Sequence, residues 1–283
     1  MNTQRELKLT FFGSDLSLYV LDYLSTIHKV VSVQTYVGEK SRRLIQFANA
    51  RGIAVSTTTP DPNDIGDLAR SADLYVCYGY PFKIPIPPEL KYGLNIHFAF
   101  LPQMRGPRPI PWILLDHHDA AGVTIHKLVR DYDAGDILLR ERLHLAQDET
   151  YSSYAVKGCL LAGRMVRRLF SNFYDMWDKA QEQDELAATW AGSPTRNERT
   201  ITTGGTVVEA ARRISAFGPL GTYLRIDHRC YKIFSIANCR HGEKLHLPNG
   251  ESCIAYAPNI LAVQFADGYI VCDSFSLDKP SNP

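Results

Sequence analysis

Short β-branched and aromatic runs alternate with amphipathic stretches through the first half of the chain, the pattern of a parallel sheet built from strand–helix units. Strands are expected at 7–12 (LKLTFF), 30–36 (VVSVQTY), 73–77 (DLYVC) and 93–97 (GLNIH), with helices near 16–27 and 40–51. Ser14 and Asp15 are cap candidates for the first helix, and Gly52 closes the second. Further on, Gly122 to Val129 and Asp136 to Leu145 read as two more strands joined by a loop from Arg130 to Gly135. One long helix is expected from Tyr151 to Asp184, with apolar Leu160, Leu161, Val166, Leu169, Phe170 and Phe173. The polar, turn-rich stretch 191–205 reads as a linker. After it, a short helix from Val207 to Phe217 precedes brief β runs at 222–227, 230–237, 244–247, 252–257, 260–265 and 269–273. Turns such as Pro248-Asn249-Gly250 and Asp267-Gly268 separate them. The fold class that follows is α/β. A Rossmann-like open, mostly parallel sheet with helices on both faces is expected over 1–190, and a small, mainly antiparallel, OB-like β domain over 206–283.

A chain of 283 residues is long enough for one large and one smaller domain. Its 31 Lys+Arg against 30 Asp+Glu leave no global attraction for a polyanion, so net charge argues against a nucleic-acid partner. No stretch approaches the roughly 20 apolar residues that cross a bilayer. The polar start Met1-Asn2-Thr3-Gln4-Arg5-Glu6 lacks the apolar segment of a secretion signal, so a cytoplasmic protein without membrane contact is expected. Six scattered cysteines, none in a Cys-x-x-Cys pair, read as reduced thiols, and no metal site is expected. A homodimer is compatible with the sequence, which does not fix the oligomeric state.

Candidate chemistry begins at the end of the strand Leu94-Asn95-Ile96-His97. Side chains two apart on a strand share a face, so Asn95 and His97 reach one spot at the carboxyl end of a parallel strand, where open α/β sheets hold ligands. Alone, such a pair is more often turn chemistry. The following loop, Phe98 to Pro109, is apolar, then basic, and stiffened by three prolines, and downstream Asp131-Tyr132-Asp133-Ala134-Gly135-Asp136 supplies a carboxylate on a tight turn.

Four motifs in order make the stretch from Leu94 to Leu138 resemble the 10-formyltetrahydrofolate-dependent formyltransferase family. They are Asn95-Ile96-His97, Leu101-Pro102-Gln103-Met104-Arg105-Gly106, Gly122-Val123-Thr124 and Asp133-Ala134-Gly135-Asp136. The likeness runs more loosely over the whole chain, through Phe217-Gly218-Pro219 and Tyr231-Lys232-Ile233-Phe234 in the region resembling the family's C-terminal β domain. It implies a formyl donor, 10-formyltetrahydrofolate, leaving as tetrahydrofolate, and Asn95, His97 and Asp133 as catalytic residues. An amine attacking a formamide carbon creates an oxyanion that needs fixed donors, here an Asn95 N–H and a His97 imidazole N–H. Asp133 would orient His97 and help accept the amine's proton. By the same resemblance the folate is gripped, largely through backbone, by Ala99, Phe100, Leu101 and Pro102 and by Val129, Arg130, Asp131, Tyr132 and Asp133, with Tyr78 and Gly79 at the same edge. Two departures stand out. Phe98 and Phe100 replace smaller residues after the histidine, and Pro107 stands where some relatives carry a folate-contacting arginine, leaving that task to Arg108.

The acceptor amine is less legible. Methionyl-tRNA formyltransferases carry a basic insertion after the second strand, whereas Val37-Gly38-Glu39-Lys40-Ser41-Arg42-Arg43 is short here. Gly122 to Val129 and Ser193-Pro194-Thr195-Arg196 resemble instead the transformylase acting on nucleotide-linked aminoarabinose. A nucleotide-linked amino sugar is therefore the expected acceptor, with Arg105, Arg196 and Arg199 as candidate pyrophosphate anchors. The alternatives are methionyl-tRNA, hydroxyornithine or an aminoacyl carrier, and, in another class, hydrolysis of 10-formyltetrahydrofolate. His126 reads equally as a neighbour of the site and as a half-buried strand histidine, and Trp112, Trp177 and Trp190 read as packing residues.

Overall fold

The computed structural model describes residues 6–226, 228–247 and 251–278, so the expected turn Pro248-Asn249-Gly250 and the polar stretch 1–5 lie outside the described residues. The chain divides into two units. One takes the chain up to Pro109 with Asp119–His144 and Ala155–Ala191; the other takes Ile110–His118, Leu145–Tyr154 and the chain from Gly192 on. The expected boundary at 190 lies beside the final break, while two internal segments group with the second unit.

Seven strands form the first unit's sheet: β1 (Lys8–Gly13), β2 (Lys29–Gln34), β3 (Ala54–Ser56), β4 (Leu74–Tyr78), β5 (Tyr92–His97), β6 (Gly122–Lys127) and β7 (Ile137–Arg142). Their order is β3-β2-β1-β4-β5-β6-β7, with β1 to β5 parallel and β6 and β7 antiparallel. Helices α1 (Leu18–Ile27), α2 (Arg42–Ala50) and α3 (Pro62–Ser71) make the crossovers, and α4 (Pro109–Leu115) follows β5. Neither β3 nor α3 is among the expected elements, because a three-residue strand leaves almost no periodic signal. The order reverses between β1 and β4, and right-handed crossovers then put α1 and α2 on one face of the sheet and α3 on the other. Covered on both faces, β1 and β4 are buried almost throughout and read as continuous apolar runs, Leu-Thr-Phe-Phe and Leu-Tyr-Val-Cys-Tyr. Each fully buried Leu or Phe there contributes about 1.5–3 kcal/mol.

The long helix expected to reach Asp184 stops early. α5 (Tyr151–Ser171) ends at Asn172, whose φ of −151° and ψ of 51° leave helical space, and α6 (Phe173–Asp178) restarts the spiral. Asn172 favours such a break because its amide bonds the Asp175 carboxylate (3.1 Å), while Phe170 stacks on Phe173 across it at 5.1 Å. Leu161, Val166, Leu169, Phe170 and Phe173 are buried as expected, but Leu160 faces solvent. After Lys179 the backbone of Gln181 exchanges hydrogen bonds with Ile137 (2.7 and 2.9 Å), which returns the chain to the sheet.

The second unit holds α7 (Val207–Phe217) and β8 (Thr200–Thr202), β9 (Thr222–Ile226), β10 (Arg229–His241), β11 (Cys253–Ala257), β12 (Ile260–Phe265) and β13 (Gly268–Leu277), in the order β11-β12-β13-β10-β9-β8. All neighbours are antiparallel except β8 with β9. The expected linker thus contains a strand. No strand forms at 244–247, where the Leu245 N–H donates to the Gln264 side chain (2.7 Å) instead of to a neighbouring backbone. Val207, Ile214, Leu224, Ile233, Val263 and Ile270 form this unit's core. Among the described residues, no helix is long and apolar enough to cross a membrane.

Candidate active site

Strand register builds the site. Asn95 lies opposite His126 and His97 opposite Thr124 across β5 and β6, so alternation puts all four side chains on one face of the sheet. The Thr124 hydroxyl donates to the Ala99 carbonyl (2.7 Å) and accepts the Leu101 N–H (3.1 Å), stapling the next loop to the strand end. That loop turns through two left-handed residues, Met104 (φ 60°) and Gly106 (φ 111°). A Cβ on Gly106 would lie 2.9 Å from the Ala191 carbonyl and 3.0 Å from the Trp190 ring, so only glycine fits.

The segment returning after α6 holds this loop in place. Arg105 N–H donates to the Thr189 carbonyl (2.9 Å), Ala191 N–H to the Arg105 carbonyl (2.6 Å), and Met104 N–H to the Thr189 hydroxyl (2.9 Å). The Arg105 guanidinium reaches Gln183 Oε1 through Nε and Nη2 (3.0 and 2.9 Å) and grips Glu185 through both Nη atoms (2.9 and 2.7 Å). Gln183 Nε2 in turn donates to the carbonyls of Asp133 and Gly135, each at 2.7 Å. Asp133 sits at φ 54°, and a Cβ on Gly135 would fall 1.9 Å from the Lys127 carbonyl. One glutamine therefore ties the Asp133 turn to the Arg105 loop.

Asp133 is the centre of the cluster. Its Oδ2 accepts the Gly106 N–H (2.7 Å); its Oδ1 accepts from Asn95 Nδ2 (2.9 Å) and lies 3.6 Å from His97 Nδ1 and 3.4 Å from His126 Nε2. His97 Nε2 donates to the Met104 carbonyl (2.7 Å), which leaves Nδ1 facing the carboxylate. That 3.6 Å gap is longer than a hydrogen bond, as expected while an unprotonated Nδ1 opposes an anionic oxygen. His126 Nδ1 donates to the Lys127 carbonyl (2.8 Å), and its Nε2 lies 3.1 Å from Asn95 Nδ2. Burial pushes the Asp133 carboxyl up, but the imidazoles of His97 and His126, when they carry protons, and the Gly106 N–H outweigh it and hold the group well below the usual carboxylate range. Beside them, Cys77 lies opposite Asn95 on β4, its thiol pushed up to about 12 by burial and by Asp133, so it stays a neutral thiol. The arrangement offers a permanent anion, an imidazole with one nitrogen aimed at it, and an amide.

Other expected residues separate into two groups. Gly79, Val129, Arg130, Asp131 and Tyr132 are exposed at the edge that carries the cluster. Tyr132, 52% exposed, meets Trp190 edge to face at 6.2 Å, with Lys83 Nζ 5.1 Å from its ring. Trp190, expected as a packing residue, is 58% exposed. By contrast, Tyr78 is buried with its hydroxyl on Cys159 (3.4 Å). Ala99 and Leu101 are also buried, and the backbone groups expected to grip a ligand are engaged internally: Phe100 N–H on the Ala120 carbonyl (2.9 Å), and the Pro102 carbonyl on Thr189 N–H (3.3 Å). Phe100 lies under the Arg140 and Arg142 guanidiniums (4.6 and 4.0 Å), and Arg108 is partly buried, its N–H on the Ala191 carbonyl (3.3 Å).

The three expected phosphate anchors each have partners within the protein. Arg105 is buried and bound to Gln183 and Glu185, so it positions a loop. Arg196 and Arg199 belong to the second unit, where Arg196 pairs with Asp278 over the Tyr223 ring and Arg199 donates to the Leu220 and Gly221 carbonyls. Gln183, Glu185 and Thr189 escaped the sequence reading because the assumed helix ran over the first of them. A signal was present: Asp184 accepts the Leu186 N–H (3.0 Å) as the cap of a new turn.

Comparison with known proteins converges on one family. The formyl transferase family pattern matches residues 60–164, a span that contains Asn95, His97 and Asp133. The methionyl-tRNA formyltransferase of Ehrlichia ruminantium is 29% identical over 204 residues, covering 65% of this chain and 66% of that protein. Among solved structures, HypX from Aquifex aeolicus in complex with tetrahydrofolic acid superposes with a TM-score of 0.68 at 19% identity, over 97% of this chain and 45% of that one. The N-formyltransferase from Helicobacter canadensis, in complex with folinic acid and dTDP-3-aminofucose, gives a TM-score of 0.62 at 14% identity, over 96% and 100%. At such identities the structures speak for the fold, and the chain spans less than half of HypX and about two thirds of the Ehrlichia enzyme.

Proposed function

Because the chain belongs to the 10-formyltetrahydrofolate-dependent formyltransferase family, we propose that it moves a formyl group from 10-formyltetrahydrofolate to the primary amine of a nucleotide-linked amino sugar in the cytoplasm. The observation that carries the chemistry is Asp133 Oδ1, held between Asn95 Nδ2 (2.9 Å) and His97 Nδ1 (3.6 Å) at the carboxyl edge of β5. The exposed turn at Gly79, the strip from Val129 to Tyr132 and the exposed Trp190 suit a flat ligand laid beside that carboxylate.

Bound there, the formyl folate would supply an activated formyl carbon whose oxygen gains negative charge as an amine adds. His97 and Asp133 handle the protons: once the ammonium has given one proton to solvent and the free amine has added, Nδ1, with Nε2 tied to Met104, takes the second proton from the attacking nitrogen and passes it to the departing one. The anionic Asp133 stabilises the imidazolium between those events. Asn95 supplies a donor to the developing charge. Both Nδ2 hydrogens face partners, Asp133 at 2.9 Å and His126 at 3.1 Å, and the one on the neutral ring is shared with the developing oxygen while that ring keeps it aimed. Losing such a donor typically lowers the rate about 100- to 1000-fold.

For the acceptor, the short passage from Gln34 at the end of β2 to Arg42 at the start of α2 favours a small molecule, since it carries no basic insertion for a phosphate-rich partner. Methionyl-tRNA is the second reading, favoured by the names of the sequence relatives. Tetrahydrofolate release from 10-formyltetrahydrofolate separates them. The proposal expects acceleration by a dTDP-linked amino sugar and little by methionyl-tRNA or hydroxyornithine. Acceleration by methionyl-tRNA alone moves the acceptor, and a rate independent of any amine makes the protein a hydrolase and overturns the proposal.

A further inference from the structure

Resting on the formyl-transfer reading, we propose that His126 is a positioning residue of the site: as a neutral imidazole it accepts a hydrogen from Asn95 and aims the carboxamide, and its protonation dismantles that arrangement. The tautomer follows from the bonds. Nδ1 lies 2.8 Å from the Lys127 carbonyl, which only accepts, so Nδ1 carries the hydrogen and Nε2 of the neutral ring carries a lone pair. That lone pair faces Asn95 Nδ2 at 3.1 Å, and the amide's other hydrogen goes to Asp133 Oδ1 at 2.9 Å. A buried ring with both nitrogens committed holds the amide more firmly than a carboxylate alone.

Protonation reverses the sense of one bond. An Nε2–H would oppose the Asn95 N–H as donor against donor and turn to Asp133 Oδ1, 3.4 Å away. Asn95 then loses its second acceptor, and Asp133 shares its charge with a ring that never meets substrate, at the expense of His97. Few other groups face this ring. From β5 come Asn95 and His97, from the following turn Asp133, and from β4 Cys77, a neutral thiol; Lys127 on its own strand pairs with Asp136 (2.9 Å), and Ile137 lies opposite on β7. Asp133 remains ionised, so loss of activity on the acid side belongs to the imidazoles. Two of them face one carboxylate oxygen, so a proton on either ring draws on the same anion.

The test is the pH profile of kcat at saturating 10-formyltetrahydrofolate and dTDP-linked amino sugar, or methionyl-tRNA if that is the better acceptor, over about pH 5 to 9. For the wild type, log kcat should fall on the acid side. His126→Gln offers an amide oxygen to the same hydrogen and cannot take up a proton, so it should keep kcat within about threefold at the alkaline end while its fall toward pH 5 is shallower. His126→Leu should lose at least about tenfold at every pH, because Asn95 is then unheld. Wild-type steepness in the Gln variant, or wild-type rates in the Leu variant, overturns the proposal. Nitrogen-15 spectra of the ring, assigned with the Gln variant, provide a readout independent of turnover. A neutral Nδ1–H form supports the proposal, and an Nε2–H form overturns it, even if no formyl transfer is found.

Discussion

Asp133→Asn keeps the side chain's shape and removes its charge, which isolates what the anion does. Two losses follow. An imidazolium at His97 would lose a unit negative charge 3.6 Å away, worth about 4–5 kcal/mol at an effective dielectric near 20. If relaxation and entering water restore about half, roughly 2–2.5 kcal/mol of transition-state stabilisation is gone, nearly two decades in rate. The new amide also has one oxygen where two served, so it cannot accept from both Asn95 Nδ2 and the Gly106 N–H; the mismatch costs about 1–3 kcal/mol, part of it felt only when Asn95 must hold its aim. Together these put the fall in kcat at about 100- to 1000-fold. The assay is tetrahydrofolate release at saturating donor and acceptor, with folate-analogue binding and a thermal melt as controls for fold and site. Binding should change by less than about threefold, since the carboxylate acts on protons. A folded Asp133→Asn variant with kcat within about tenfold of wild type would refute the reasoning.

Three further outcomes are expected. Gln183→Leu leaves the Asp133 and Gly135 carbonyls and Arg105 short of a partner; it should lower stability by about 1–3 kcal/mol in chemical denaturation and kcat by at least about tenfold, and wild-type values for both would contradict the clamp. Gly135→Ala drives a methyl into the Lys127 carbonyl, so the turn cannot close; circular dichroism and activity should show a strongly destabilised, inactive protein, and a stable active one would contradict the turn geometry. His28 accepts the Leu7 N–H at Nδ1 (3.3 Å), while its Nε2 is buried without a hydrogen-bond partner among the described residues, and burial, against the charge of Glu6, lowers its pKa. Its stabilising effect is then fully present above the unfolded value of about 6.5 and is lost as pH falls through it toward the lower folded value. His28→Phe should lose less melting temperature between about pH 7 and pH 5 than the wild type; parallel curves would contradict this.

What the chain disclosed before folding was local. Asn95 and His97 share a face because strand alternation acts over two residues, and the turn around Asp133 announces itself through Gly135, where no side chain fits. Whatever depends on pairing between distant segments stayed hidden. His126 meets Asn95 only because β6 runs antiparallel to β5 in one register, so before folding it read equally as a half-buried strand histidine. Gln183 was masked by an apolar period that continues past Ser171, although Asn172 ends the helix. The arginines' partners stayed hidden for the same reason: Arg105 pairs with Glu185 and Arg196 with Asp278, each some eighty positions away, and a lone guanidinium in a sequence looks free. Nor does a sequence say which backbone groups are already engaged, as the Phe100 N–H and the Ala99 and Pro102 carbonyls are in the loop expected to hold the folate.

The most direct test reads the product. The purified protein is incubated with 10-formyltetrahydrofolate and a dTDP-linked amino sugar, and the recovered acceptor is weighed by mass spectrometry. A formyl group replacing one amine hydrogen, formed by the wild type and strongly reduced in Asn95→Ala, His97→Ala and Asp133→Asn, is the predicted result. An unchanged amine with formate accumulating in solution, or full product from all three variants, would contradict the assignment of formyl transfer to this cluster.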